Sequence, residues 1–336
     1  MTSDLGEAEA QAMAGLALAQ WGGTRQTPRL VKNRENVVFE ALLTGGEHVA
    51  LRLHRPGYQS RAGIESELGW TARLAAAGFG VPRPVVTASG GLTAVAGGRV
   101  ASCVGWLEGE PIGDSATPLA GSAAEQGALF HDLGALIGGL HVATDATGLP
   151  EPFDRPAWDE RGLLGDEPLW GKFWENPALS DDERALILEV RGQAARELAD
   201  LRAGGADYGA IHADVMRENV LRRDGGLALI DFDDSGRGFR LYDLGTALVQ
   251  SLEEPNLPLL AASLLAGYRT RRPLGAADAA LLPLFVLLRC LASAGWIMTR
   301  AAPGDARRRH YVERALRLGR HYLAGTAPWQ GAESRV

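Results

Sequence analysis

The chain has 336 residues, 46% hydrophobic and 22% charged, which is room for two lobes with substantial cores and ordinary for a soluble, enzyme-sized protein. Its 41 acidic and 34 basic residues leave a formal net charge of -7, which argues against a nucleic acid or an anionic membrane held by bulk electrostatics. Only two cysteines occur, Cys103 and Cys290, both in apolar runs, so neither a disulfide scaffold nor a thiolate metal site is expected and a reducing cytoplasm fits.

In chain order, MTSDLGEAEAQAMAGLALAQWGG carries acids where a secretory signal would carry a basic segment. Leu5 to Trp21 reads as one amphipathic helix that stops at Gly22-Gly23. The stretch PRLVKNRENVVFEALLTGGEHVALRLHR predicts three strands turning at KNREN and TGGE, and the alternation in HVALRLH suits a half-buried sheet. Ile64, Leu68 and Leu74 then recur at helical spacing up to Gly78, and VPRPVVTAS and RVASCVGWLEGEPI supply further strands. From about Ala123 the pattern turns helical: AEQGALFHDLGALIGGLHVAT, SDDERALILEVRGQAARELADLRA, and several apolar helices after Tyr242. The longest apolar tract, AALLPLFVLL, is too short to span a bilayer, so a cytoplasmic protein without a membrane partner is expected. Strands first and helices later predict an α+β fold with an N-terminal lobe over 1–106 and a helical C-terminal lobe over 107–336.

Within the helical half lies a β-rich island, GAIHADVMRENVLRRDGGLALIDFDDSG, that sets His212, Asp214, Asn219, Asp231, Asp233 and Asp234 beside apolar runs. Carboxylates at the ends of buried strands are costly unless paired or holding a cation. A hairpin turning at RDGG would carry Asp231 back toward the loop from Asp214 to Asn219. A carboxylate and an amide oxygen there suit Mg²⁺, which takes few protein oxygens and completes its shell with water and phosphate. Asp214, not bound to metal, would accept a proton from a hydroxyl nucleophile. This is the outline of phosphoryl transfer, in which the protein positions groups and neutralises charge.

His-x-Asp-x4-Asn, followed after eleven residues by Asp-x-Asp, resembles the catalytic core of the aminoglycoside phosphotransferase/choline kinase superfamily, a branch of the protein-kinase-like fold. HADVMRENVL with IDFDDSGRGFRLYDLG is most similar to the group of type II homoserine kinases, hydroxylysine kinases and a bacterial stress-response Ser/Thr kinase. The resemblance implies a two-lobed kinase-like fold using ATP and Mg²⁺. It implies that Asp214 orients or deprotonates the acceptor hydroxyl, that Asn219 and Asp231 hold metal, and that Asp233 supports them or reaches a second metal. It further implies that His212 braces the loop and Asp243 anchors it.

On the nucleotide side the resemblance implies Arg52 at the phosphate-contacting strand position, an arginine where lysine is commonest, with Glu67 as its ion-pair partner. Glu65, two residues away, is the competitor and points to another helix face. KNREN corresponds to the phosphate-covering loop, without its usual glycines, and Asn36 is the contact expected there. CVGWLEG is similar to the inter-lobe hinge, where the backbone of Gly105 and Leu107 would meet adenine. Trp170, Phe173 and Trp174 form either an amine-binding wall or ordinary packing. RRRHYVERALRLGR reads as a solvated helix face. The expected acceptor is a small amine-bearing alcohol such as homoserine, hydroxylysine, an amino alcohol or an aminoglycoside. A Ser/Thr protein kinase and a non-catalytic pseudokinase are the alternatives, and the sequence leaves oligomeric state open.

Overall fold

The computed structural model describes residues 5–33 and 36–329, so Arg34 and Glu35 of the KNREN turn lie outside the described residues. The chain divides into two compact units. The first holds the residues up to Glu110 together with Ala143–Arg155 and Ala228–Asp233; the second holds Pro111–Val142, Pro156–Leu227 and Asp234 onward.

In the first unit, α1 (Glu7–Leu18) precedes β1 (Arg29–Asn33), β2 (Val37–Leu42) and β3 (His48–Leu53). After these come α2 (Arg61–Ala76), β4 (Pro84–Val85), β5 (Thr93–Ala96) and β6 (Arg99–Gly105). The strands form one antiparallel sheet in the order β1-β2-β3-β6-β4, with β5 also paired to β6. Side chains alternate across a strand, and here alternation makes the core. Val37, Phe39 and Ala41 of β2 and Val49, Leu51 and Leu53 of β3 pack with Met13, Ala14, Ala17 and Leu18 of α1. Arg52, between Leu51 and Leu53, therefore points to the opposite face, where it meets Glu67 of α2.

Helix α2 begins where the Ser60 hydroxyl accepts from the Gly63 amide, and it buries Ile64, Leu68 and Leu74 as their spacing predicts. Trp70 of the same helix is fully buried, edge-on to Phe153 at 6.2 Å and to Phe232 at 5.3 Å, and its Nε1 donates to Thr144 Oγ1 at 3.1 Å. One indole thus ties both later segments into this unit.

The later elements are β7 (Glu110–Pro111), α3 (Ala123–Thr147), β8 (Ala157–Trp158), α4 (Glu160–Leu164) and α5 (Asp181–Ala203). Then come β9 (Tyr208–Ile211), β10 (Val220–Arg223), β11 (Gly226–Leu229) and β12 (Gly236–Phe239). The chain closes with α6 (Leu241–Val249), α7 (Leu257–Arg269), α8 (Ala276–Ala279), α9 (Leu282–Trp296) and α10 (Ala306–Leu323). Ser180 and Glu183 form a capping box that starts α5. β12 pairs antiparallel with β9 and parallel with β8.

Helices α3 and α7 touch backbone to backbone. A Cβ on Gly134 would stand 2.0 Å from the Leu264 carbonyl oxygen, and one on Gly267 would stand 1.8 Å from that of His131. Apart from Arg289, helix α9 is apolar on all sides and buried, the pattern of a core helix. The tract read as too short for a bilayer belongs to a helical run over Ala276–Thr299 that has the length and apolarity to cross one; 78% of its most apolar window is buried in the protein.

Candidate active site

In the second unit the chain leaves β9 through His212, Ala213 and Asp214. Ala213 has φ +65°, a left-handed conformation that side chains other than glycine rarely adopt. Asp243, in the first turn of α6, holds it there. Its Oδ2 accepts from the His212 amide at 2.9 Å and its Oδ1 from the Ala213 amide at 2.7 Å. His141 of α3 contacts the same Oδ2 through Nε2 at 3.0 Å, and Tyr268 O–H meets His141 Nδ1 at 2.9 Å. Both Asp243 and His141 are fully buried. Burial works against the charge of Asp243, but the His141 contact and the backbone amides hold its carboxyl below the usual range. Burial also pushes His141 down, so it is neutral, with Nε2–H donating to Asp243 and Nδ1 accepting from Tyr268. His212, equally buried, accepts the Asp214 amide on Nδ1 at 3.2 Å and so braces the turn.

Asp214 is held on both oxygens. Asn219 Nδ2 donates to its Oδ2 at 2.8 Å and to its main-chain oxygen at 3.0 Å, which turns the amide oxygen of Asn219 away from Asp214. Arg289 Nη2 donates to Oδ1 at 2.7 Å. The Asp214 side chain is 20% exposed and that of Arg289 only 5%. Arg289 lies 4.3 Å over the Trp170 ring. Burial opposes its charge, but Asp214, then Tyr242 and Asp234, hold its pKa above the ordinary arginine value. Below the loop, Arg217 is buried with Nη2 on Ser251 Oγ and Glu254 Oε1, each at 2.9 Å.

The sequence reading passed over Arg289, although it left a signal, a lone arginine inside the apolar run LPLFVLLRCLASAGW. His141, a histidine within the helical stretch LFHDLGALIGGLHVAT, is a buried strut. Of the aromatic trio, Trp170 is covered by Arg289, Trp174 by Arg191 at 4.0 Å, and Phe173 is buried, so the chain's own cations occupy both tryptophans.

The first unit holds a second cluster. Arg52 Nη2 lies 2.5 Å from Glu67 Oε1, both side chains buried. Burial opposes the charge on Arg52, but Glu67, Asp233 and Asp231 hold its pKa above the usual value. Glu65 faces elsewhere and accepts from Arg61 Nε at 2.9 Å and Thr93 Oγ1 at 2.6 Å. Asp231, like Ala213, has φ +65°, and Lys32 Nζ stands 3.9 Å from its Oδ2. Strained backbone of this kind gathers at functional sites, where surrounding contacts over-determine it.

The main-chain oxygen of Asp233 accepts from Arg155 Nη2 and from Gln59 Nε2 at 3.3 Å. His54 Nδ1 is 4.0 Å from Asp233 Oδ1, but burial, with Arg52 and Arg155, pushes His54 well below its ordinary pKa. The contact is that of a neutral ring. Asn36 Oδ1 accepts the Arg55 amide at 3.0 Å. The Gly105 amide is committed to the Arg83 carbonyl at 2.8 Å, and Trp106 stacks on His48 at 5.3 Å, with Leu107 next in the chain.

Among the described residues no group of three or more His, Cys, Asp and Glu is gathered as a metal cage. An amide oxygen and carboxylates without thiolate or imidazole are the donor set of a hard cation that shares its shell with phosphate.

Three comparisons with known proteins bear on this geometry. A family model described as a phosphotransferase enzyme family matches residues 27–280. The solved structure of a microcompartment-associated aminopropanol kinase superimposes with a TM-score of 0.81 at 30% identity, covering 93% of this chain and 97% of that one. Amicoumacin kinase hAmiN, solved with AMP-PNP, Ca²⁺ and Ami, gives 0.75 at 22% identity, covering 97% and 96%. A homoserine kinase of Pseudomonas aeruginosa PAO1 is 34% identical over 186 residues, 52% of this chain and 54% of its own.

Proposed function

The chain belongs to the phosphotransferase enzyme family, and from that premise we propose that it moves the γ-phosphoryl group of ATP to the hydroxyl of a small amine-bearing alcohol. Aminopropanol and homoserine, the acceptors for which two similar kinases are named, support that substrate class. The observation that carries the reading is the carboxylate of Asp214, pinned on both oxygens yet still reachable from solvent. In this reading Asp214 accepts the hydrogen bond, and then the proton, of the acceptor hydroxyl. Asn219, Asp231 and Asp233 hold Mg²⁺, which neutralises phosphate charge. Arg52, braced by Glu67, contacts phosphate in the fork geometry of guanidinium. Asn36 shapes the covering loop. The backbone of Gly105 and Leu107 meets adenine, with the Gly105 carbonyl the group to use, since its amide is taken. The assignment to the cytoplasm is part of the same reading.

A small acceptor is favoured over a protein by the segment after Asp234, which folds at once into β12 and α6. The test is Mg²⁺-dependent ATP turnover against amino alcohols, hydroxy amino acids, aminoglycosides and a general protein substrate. Phosphate should appear on a small alcohol, and Asp214→Ala should lower turnover about 10²- to 10⁴-fold with ATP still bound. Tight ATP binding without transfer to any acceptor would favour a non-catalytic module instead.

A further inference from the structure

Arg289 is an expensive residue to keep where it stands. It sits midway along α9 among Leu284, Phe285, Val286, Leu287, Leu288 and Leu291, with its side chain only 5% exposed. A buried cation needs compensation by an opposite charge and by hydrogen bonds to its donors. Arg289 has the first, through Nη2 on Asp214, and largely lacks the second. Among the described residues its Nε and Nη1 make no well-formed hydrogen bond, although the Tyr242 hydroxyl lies beside them. A guanidinium retained for stability alone would use its fork, because replacing a poorly satisfied buried pair with apolar side chains is commonly neutral or stabilising. What this residue does well is to stay in one place. Its ring-like plane lies 4.3 Å over Trp170, which is itself wedged edge-on to Trp158 at 5.1 Å.

We propose that Arg289 is the positioning residue for Asp214, fixing Oδ1 of the carboxylate while Asn219 fixes Oδ2, so that one orientation of the acid meets the acceptor hydroxyl. The inference rests on the phosphotransfer reading and goes past it. The terminal torsion of an aspartate is broad, so a carboxylate on a loop samples many orientations unless both oxygens are tied. Asn219 ties one from within the loop itself, five residues on. Arg289 ties the other from α9, 75 residues away, which couples the loop to a buried core helix of its unit. Being buried under Trp170, Arg289 acts through Asp214 and need not touch the acceptor. Lysine would replace it only in part. An ammonium can donate to Oδ1 but cannot lie flat on the indole, so its direction is not fixed.

The experiment compares the unaltered protein with Arg289→Met and Arg289→Lys, measuring kcat and KM for ATP, with L-homoserine and 1-aminopropan-2-ol as acceptors, and the melting temperature of each. Arg289→Met should lose about 10²-fold in kcat, the scale of a misplaced catalytic group, with KM for ATP unchanged and no large fall in melting temperature. Arg289→Lys should recover part of kcat. A kcat for Arg289→Met within about twofold of the unaltered protein, well short of the loss from a misplaced group, overturns the proposal. So does a loss of activity that tracks a loss of melting temperature in both variants, which is what a residue serving only the fold would give. If the unaltered protein phosphorylates neither these alcohols nor any other acceptor of the wider panel, the phosphotransfer reading falls, and this inference with it.

Discussion

Asp243 shows how much one side chain can hold. It is the shared acceptor for two consecutive amides and one imidazole, all buried, and one of those amides belongs to a residue at positive φ. Asp243→Ala strands three donors at once, so it should destabilise the protein by about 3 kcal/mol or more, measured by urea unfolding. It should also depress turnover, because the turn that presents Asp214 relaxes. His54 supplies a different residue-scale test. Burial keeps its ring neutral when folded, so the unfolded chain takes up the proton more readily. Its contribution to stability is therefore whole above the ordinary histidine pKa of about 6.5 and falls as the pH drops below it, at about 1.4 kcal/mol per pH unit. His54→Gln should flatten the dependence of unfolding free energy on pH between about 6.5 and 5 by one proton's worth. An unchanged slope would mean that His54 is protonated in the folded protein.

Among the elements, α3 and α7 approach more closely than any side chain permits. Gly134 faces the Leu264 carbonyl and Gly267 faces that of His131, so each helix lends the other a gap. Alanine normally improves a helix by up to about 1 kcal/mol over glycine. Here it should do the reverse, with Gly134→Ala or Gly267→Ala costing about 1–3 kcal/mol by overpacking, read as a lower urea midpoint. Since α3 carries His141, the same variants should lower kcat as well. Helical spacing and strand alternation had already outlined these elements in the sequence. The close approach was not legible there, because Gly134 and Gly267 look like any small residue until the partner helix is placed.

For the molecule as a whole, what the sequence discloses depends on separation along the chain. His212, Asp214 and Asn219 sit within eight residues, so their grouping could be read directly. Arg52 and Glu67 are fifteen apart, on a strand and the next helix, and the strand's alternation indicates which face to search. Arg289 pairs with Asp214 across 75 residues, and an arginine in an apolar run reads as an oddity of packing until its partner is seen. Placement of 228–233 with the first unit has the same origin, since no local pattern announces that Phe232 will meet Trp70. Nucleotide binding can be tested on the intact protein. MgATP at about 100 times its Kd should add about 2.7 kcal/mol to stability, seen as a higher melting temperature. EDTA should remove most of that gain, and Arg52→Met should shrink the ATP-dependent shift, whatever it does to the baseline. An identical shift with and without chelator would argue against a metal-assisted site.

The indole of Trp70 lies between ring systems supplied by the 150s and the 230s of the chain. A growing polypeptide therefore releases most of its first unit long before it releases the last aromatic that covers this ring. Until Phe232 has been made, one of the rings that cover this indole is missing, so the first unit is not complete in its first 110 residues. A fragment cut at Glu110 would leave that indole without Phe153 and Phe232 permanently and should be sticky, however complete its strands.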